Sequence, residues 1–128
     1  MTDQELMALA EEAARRAYVP YSKFPVGAAL ECDDGSIFTG CNVENAAYGS
    51  TICAERTAAV KAVSEGHRKF VRIAIWGQSE DYCYPCGACR QFLAEFSDAG
   101  MIVLCARRAG DFCRHTMAEI MPFQFELK

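Results

Sequence analysis

Apolar residues near the start of this chain recur every three or four positions, which is the spacing of a helix with one buried face. Thr2 is followed by Glu5, the spacing of a capping box, in which each of the two side chains accepts a hydrogen bond from the other residue's backbone N–H. The pattern therefore predicts a helix over about 3–18.

Two apolar, strand-like segments follow, over 26–32 and 37–43. Asp33, Asp34 and Gly35 lie between them and are residues that favour a tight turn. These segments are predicted to form an antiparallel hairpin.

The rest of the chain alternates between helical and strand-like patterns. We predict, in order, a helix over 52–65, a strand over 70–76, a helix over 87–99 and a strand over 101–106. Two helices that cross from strand to strand imply neighbouring parallel strands. The connection over 107–111 is too short for a parallel return, so a fifth strand over 112–115 is predicted to be antiparallel, with a short helix starting at Thr116.

Composition limits the size and setting of the protein. A chain of 128 residues with 52% apolar residues suits one compact domain over 1–128. Its apolar runs are too short to span a membrane, and its start lacks the pattern of a secretory signal. We therefore expect a soluble, cytoplasmic protein whose eight cysteines are reduced.

The charge pattern disfavours a nucleic-acid partner. The formal net charge is −4, and no run of Lys or Arg is longer than a pair. A phosphate backbone is normally bound by a concentrated basic surface. We expect neither nucleic acid nor a membrane as a partner.

Three cysteines and one glutamate carry the candidate chemistry. Cys53 precedes Glu55 by two positions, and Cys86 and Cys89 follow after a predicted helix and strand. Thiolates suit Zn²⁺, and a catalytic zinc takes three protein ligands and leaves one position for water. A nearby carboxylate moves that water's protons during hydrolysis. The pattern predicts a zinc site with Glu55 as the catalytic acid–base.

Cys83 adds an alternative, because Cys83, Cys86 and Cys89 form a run of cysteines spaced three apart. That spacing also occurs in iron–sulfur proteins, and four thiolates including Cys53 would make a closed structural zinc site. Neither alternative gives Glu55 a role. We predict an open zinc site in which Cys83 is not a ligand.

Five segments of the chain resemble the short, zinc-dependent, homotetrameric cytidine deaminases. They are 20–24 (PYSKF), 26–29 (VGAA), 40–48 (GCNVENAAY), 53–58 (CAERTA) and 85–91 (PCGACRQ). The resemblance implies a three-layer α/β/α sandwich with a five-stranded mixed sheet. It also implies hydrolytic deamination of cytidine and deoxycytidine to uridine and deoxyuridine with release of ammonia, a reaction of pyrimidine salvage, by a homotetramer with one Zn²⁺ per chain.

The order of residues at the end of the second predicted strand suggests a sugar site. Alternation puts Asn42 and Glu44 on one face, where an amide and a carboxylate suit a ribose hydroxyl. The resemblance implies that both bind the sugar, particularly its 3′-hydroxyl. It also implies that Phe24 lines the base pocket and that backbone groups around Ala54 read the pyrimidine edge.

Two further roles come from the resemblance alone. It places Arg56 beside the zinc cysteines, where the guanidinium would draw charge from sulfur. It also aligns Phe125 with a tail residue that reaches a neighbouring subunit's active site, although Phe123 here stands where relatives have a small residue.

Two other functions stay open at this point. One is a deaminase of a modified nucleoside such as a blasticidin-type antibiotic, and the other is a non-enzymatic structural zinc or iron–sulfur protein. The sequence assigns no chemical role to the remaining cysteines, which are Cys32, Cys41, Cys83, Cys105 and Cys113.

Overall fold

A computed structural model describes residues 1–127 of the chain. The helices are α1 (Asp3–Ala14), α2 (Ala54–Ser64), α3 (Gly87–Glu95) and α4 (Met117–Ile120). The strands are β1 (Gly27–Cys32), β2 (Ile37–Cys41), β3 (Phe70–Trp76), β4 (Ile102–Ala106) and β5 (Phe112–Thr116). A single 3₁₀ turn, Tyr48–Ser50, precedes α2 in this part of the chain.

The start of α1 agrees with its prediction, and its end does not. The capping box is present, since the Glu5 amide donates to Thr2 Oγ1 at 3.1 Å and the Thr2 amide donates to Glu5 Oε1 at 2.8 Å. The helix ends at Ala14 rather than near residue 18. The reason is that the Tyr18 amide donates to the Asn42 carbonyl at 3.0 Å, which draws this segment away from the helix axis.

The five strands form one mixed sheet in the order β2-β1-β3-β4-β5. The predicted antiparallel hairpin and antiparallel last strand are confirmed. Among the strands described over residues 1–127, β3 and β4 are the only neighbours that run parallel. The prediction that both crossover helices join neighbouring strands is wrong for α2, because β1 lies between β2 and β3 and pairs antiparallel with each.

Helices cover both faces of the sheet, which confirms the three-layer arrangement. Side chains of α1 pack with one set of strand residues, and α2 and α3 pack with the alternate set on the opposite face. Two glycines permit close packing. A Cβ on Gly27 would lie 1.8 Å from the Ala10 carbonyl of α1, and one on Gly40 would lie 2.6 Å from the Ala58 amide of α2.

Helix α3 ends at Glu95, four residues before its predicted end at 99. The Phe96 carbonyl accepts a hydrogen bond from the Phe70 amide at 2.7 Å, so the chain after α3 is held against the start of β3. None of the helices described over residues 1–127 is both long enough and apolar enough to cross a membrane.

Strand direction brings the candidate residues to one edge of the sheet. Gly27 at the start of β1 pairs with Cys41 at the end of β2 and with Trp76 at the end of β3. The segments that leave β2 and β3, over 42–53 and 77–86, therefore emerge at the same edge, beside the segment that enters β1.

Candidate active site

The structure brings together the three cysteines predicted as metal ligands. The Cys53 and Cys86 sulfurs are 3.8 Å apart, and those of Cys86 and Cys89 are 3.5 Å apart. All three lie within 4.8 Å of one another. Tetrahedral zinc with Zn–S distances of about 2.3 Å separates its sulfurs by about 3.8 Å, so the cluster fits a zinc ion. Cys83 is not a member of this group.

Helix N-termini position the three thiols. Cys53 is the residue that caps α2, Cys86 caps α3, and Cys89 lies in the first turn of α3. The free amide groups and dipole of a helix N-terminus favour negative charge. Because the N-termini of two helices meet at the cluster, they stabilise thiolates there.

Arg56 contributes further positive charge to the cluster. Its Nη2 lies 3.5 Å from the Cys53 sulfur. Hydrogen bonds from the Cys89 thiol and from Arg56 lower the pKa of Cys53 to about 5, despite partial burial. The Nε atom of Arg56 is buried without a hydrogen-bond partner among residues 1–127, so the guanidinium retains a donor beside the thiols.

Glu55 lies in the first turn of α2, two residues after Cys53, and both Cys53 and Cys89 influence its carboxyl group. Its side chain is almost completely buried, with 4% of the residue exposed. Burial, together with the negative charge of the neighbouring Cys53, raises the pKa of Glu55 to about 7. A carboxyl group with a pKa near neutrality suits proton transfer in both directions.

Cys83 lies close to Glu55, but its thiol is in a different environment from the three clustered thiols. Burial raises the pKa of the Cys83 thiol to about 11, and the Glu55 charge adds to the effect. The geometry separates Cys83 from the metal ligands, because it is not among the three thiols whose sulfurs lie within 4.8 Å of one another.

Asn42 and Glu44 lie near this edge of the sheet, and both side chains hold the backbone of the segment before β1. Asn42 Oδ1 accepts from the Val26 amide at 2.9 Å, and Asn42 Nδ2 donates to the Phe24 carbonyl at 3.0 Å. Glu44 Oε1 accepts from the amides of Tyr21 at 3.0 Å and Ser22 at 3.1 Å.

These contacts limit which polar groups of Asn42 and Glu44 are free to bind a ligand. Glu44 is 9% exposed, and hydrogen bonds from Ser22 lower the pKa of its carboxyl group, so it is ionised near neutral pH. Its second oxygen accepts no hydrogen bond from residues 1–127. Asn42 keeps one N–H and one lone pair after its two contacts. The sequence had suggested a sugar site here, and it gave no signal of these contacts to the 21–26 backbone.

Phe24 and Ala54 border the same region. Phe24 is half-buried and lines a cleft of about 190 Å³ together with Trp76 and Arg108. Ala54 is fully buried as the first residue of α2, so its amide has no partner within the helix.

Phe125 is not packed against the site of its own chain. The Phe125 carbonyl accepts a hydrogen bond from Gln91 Nε2 on α3 at 3.2 Å, and the residue is 68% exposed. Sequence reasoning also missed Arg90, which donates to the Pro85 carbonyl next to Cys86 at 2.8 Å. Its signals were its place in the 85–91 segment and its position one helical turn after that cysteine.

Comparison with known proteins agrees with this geometry. Residues 1–105 match the family model described as the cytidine and deoxycytidylate deaminase zinc-binding region. The chain is 50% identical over 125 residues to a cytidine deaminase of Sporosarcina psychrophila, with 98% of this chain and 92% of the relative covered. It is 48% identical to one of Halalkalibacterium halodurans, with 98% and 95% covered.

Solved structures show the same fold. A cytidine deaminase from Burkholderia pseudomallei superposes with a TM-score of 0.93 at 42% identity, covering 98% of this chain and 100% of that one. One from Mycobacterium tuberculosis gives 0.85 at 36% identity, covering 99% and 100%. The fold, the three-thiol cluster and the family model agree, and the chain belongs to the cytidine and deoxycytidylate deaminase family of zinc-dependent hydrolases.

Proposed function

We propose that this protein catalyses hydrolytic deamination of cytidine and deoxycytidine to uridine and deoxyuridine, with release of ammonia. The observation that carries the proposal is a buried carboxyl group, Glu55, beside a cluster of three thiols rather than four. Three ligands would leave one position on a bound zinc for water, and the proposed role of the neighbouring carboxyl group is to move that water's protons.

Cys53, Cys86 and Cys89 are the proposed ligands. When bound, zinc supplies a Lewis acid that makes water nucleophilic near neutral pH. Glu55 then handles the protons. Its carboxylate takes one proton from the attacking water and delivers it to N3 of the pyrimidine as oxygen adds to C4. It passes a second proton to the exocyclic amine, which leaves as ammonia while the carbonyl forms.

Arg56 supports this chemistry through the thiolates. Three thiolates on Zn²⁺ give a net charge of −1, which reduces the acidity of bound water relative to a site with neutral ligands. The guanidinium, 3.5 Å from the Cys53 sulfur, withdraws part of that charge by hydrogen bonding.

Asn42 and Glu44 are the proposed sugar-binding residues. The proposal is supported by the second Glu44 oxygen and the remaining Asn42 N–H, which together suit a ribose hydroxyl. An ionised Glu44 also repels a phosphate nearby, which favours nucleosides over nucleotides. Phe24 would contact the base, and the Ala54 amide would bind its polar edge.

We further propose that the active form is a homotetramer in which Phe125 reaches a neighbouring subunit's site. The proposal is supported by two groups of exposed apolar side chains among residues 1–127, because exposed apolar patches often mark protein–protein contacts. One is the tail, with Phe123, Phe125 and Leu127 exposed by 103%, 68% and 91%. The other lies near the site and contains Tyr18, Tyr21, Val43, Tyr48 and Ile52. A chain that elutes as a fully active monomer in light-scattering chromatography would contradict the Phe125 assignment.

We also infer that residues 1–128 act as one domain in the cytoplasm. A single sheet that contains all five strands, β1 to β5, supports the first inference. Eight free cysteines support a reducing compartment.

The test is the ultraviolet spectrum of cytidine incubated with the zinc-loaded protein, together with an ammonia assay. Conversion to uridine by wild type but not by Glu55→Gln is expected, with deoxycytidine also converted and the two 5′-monophosphates much slower. No conversion at one zinc per chain would reject cytidine as the substrate and direct the search to modified nucleosides.

A further inference from the structure

We infer that Arg90 is a positioning residue for the metal site, because it bridges the backbone beside Cys86 to the end of α4. The inference rests on the proposed role of Cys86 as a zinc ligand. It extends the site to the C-terminal part of the chain, which contributes none of the proposed ligands.

The contacts of Arg90 define the bridge. Its Nε donates to the Pro85 carbonyl at 2.8 Å, and its Nη1 donates to the Ile120 carbonyl at 3.0 Å. The side chain is half-buried and forms no ion pair with an acidic group among residues 1–127. The charged guanidinium therefore makes its hydrogen bonds to two backbone carbonyl oxygens. Hydrogen bonds from a charged donor are stronger than those between neutral groups.

The segment that Arg90 holds needs support. Residues 77–86 connect β3 to α3 without regular secondary structure, and they end at Cys86, the most exposed of the three thiols. Arg108 fixes the far end by donating to the Gln78 carbonyl at 3.1 Å, and the Cys83 amide donates to the Ala106 carbonyl at 2.8 Å.

Two contacts hold the backbone on either side of the ligand: the Cys86 carbonyl accepts from the Arg90 amide at 2.9 Å, and the Arg90 side chain binds the carbonyl of the preceding Pro85. Pro85 is fully buried and has no N–H, so its carbonyl is the only polar backbone group by which this residue is held. Because the Pro85 carbonyl is joined directly to the Cys86 amide nitrogen, fixing it limits rotation of the ligand's backbone.

The other end of the bridge is a short helix. Helix α4 has four residues and is capped by Thr116, whose Oγ1 accepts from the Glu119 amide at 3.4 Å. Arg90 binds the carbonyl at the end of this helix. The bridge thus joins α4 to the metal segment through one side chain.

Loss of the bridge should weaken zinc retention. Changing residues that orient metal ligands typically costs about 10–100-fold in metal affinity. Arg90→Met keeps most of the aliphatic volume and removes both hydrogen bonds. We expect it to release zinc at least about 10-fold faster than wild type.

Arg68→Met is the matched control. Arg68 Nη1 also donates to two backbone carbonyls, those of Val63 at 2.7 Å and His67 at 3.1 Å, at the opposite end of α2 from the thiols. Arg68→Met also removes two hydrogen bonds to backbone carbonyls, in this case from an exposed side chain away from the metal. Zinc release from this variant should stay within about 2-fold of wild type.

The experiment measures zinc transfer from full-length, zinc-loaded protein to a chromogenic chelator well below the unfolding temperature. It is paired with the absorption spectrum of the cobalt-substituted protein, which reports thiolate geometry and is insensitive to general loss of stability. Faster release together with an altered cobalt spectrum in Arg90→Met, but not in Arg68→Met, is expected. Release and spectrum equal to those of Arg68→Met would overturn the inference.

Two further measurements separate other causes of failure. If Arg90→Met fails to fold, Arg90→Lys replaces it in the test, because lysine keeps the charge and one donor group. We expect Arg90→Lys to release zinc faster than wild type but less than about 10-fold faster. Wild-type release in Arg90→Lys would then count against the bridge. Zinc content of wild type well below one per chain would instead contradict the proposed ligands.

Discussion

Replacing Asn42 by alanine should both destabilise the protein and slow the reaction, because the side chain connects the sugar-binding region to the segment that carries Phe24. The substitution removes the bond from the Val26 amide at 2.9 Å and the bond to the Phe24 carbonyl at 3.0 Å. It leaves the backbone pairing of Asn42 with Tyr18 and Val26 in place.

The magnitude follows from the two contacts. A neutral hydrogen bond contributes about 0.5–1.5 kcal/mol net, so we expect a loss of about 1–3 kcal/mol in the free energy of unfolding. In a domain of this size 1 kcal/mol corresponds to about 4 °C in Tm, which gives a decrease of roughly 4–12 °C.

Asn45→Ala provides the control. Asn45 is exposed, and its Oδ1 accepts only a local bond from the Ala47 amide at 3.0 Å. We expect a loss below about 1 kcal/mol. Urea unfolding should be compared at equal protein concentration and full zinc loading, because ligand binding and oligomerisation both shift apparent stability.

Kinetics with 3′-deoxycytidine distinguish positioning of the 21–26 segment from contact with the sugar. If Asn42 acted only on the 3′-hydroxyl, its loss would leave kcat/KM for 3′-deoxycytidine unchanged. We predict a decrease of several-fold for this substrate as well, and a larger one for cytidine. An unchanged rate with 3′-deoxycytidine, together with stability equal to that of Asn45→Ala, would refute the reasoning.

Three other predictions concern the metal site. In the metal-free protein burial raises the pKa of Glu55 from 4.5 to about 7. Ionisation of this group therefore lowers the free energy of unfolding as the pH rises from about 4.5 to above 7. Glu55→Gln should raise the free energy of unfolding by up to about 3 kcal/mol at pH 8, and by little at pH 4.5. Urea unfolding of chelator-treated protein measures this difference, and an equal increase in the free energy of unfolding at both pH values would contradict the prediction. Arg56→Gln should weaken zinc retention or lower activity, and unchanged values of both would remove its proposed role. Cys83→Ser should keep one zinc per chain while Cys89→Ser loses it, as measured by elemental analysis, and zinc loss in Cys83→Ser would make Cys83 a ligand.

Local patterns predicted most of the fold because apolar residues recur at helical intervals in α1, because the central strands are short apolar runs, and because specific residues bound several elements. The capping box at Thr2 and the turn at Gly35 set boundaries that a short window of sequence contains. The end of α1 and the place of β1 between β2 and β3 depend instead on long-range backbone pairing. The bond from the Tyr18 amide to the Asn42 carbonyl joins residues 24 positions apart, so no local pattern reports it.

The same distinction holds for the site. The spacing of Cys53, Cys86 and Cys89 indicated a metal cluster, because two predicted helices begin at these residues. The bridge made by Arg90 and the use of Asn42 and Glu44 to hold the 21–26 backbone were not predicted, since both depend on which carbonyl or amide the fold brings near. Residue type alone does not specify which backbone group a side chain will bind.

The central claim is that Glu55 moves the protons of hydrolysis at a zinc site held by three thiols. The most direct measurement is kcat for cytidine of wild type and Glu55→Gln, each with its zinc content determined on the same sample. We predict a loss of about 10²–10⁴-fold in the variant with one zinc per chain in both proteins. Turnover by Glu55→Gln within about 10-fold of wild type at equal zinc content would contradict the account.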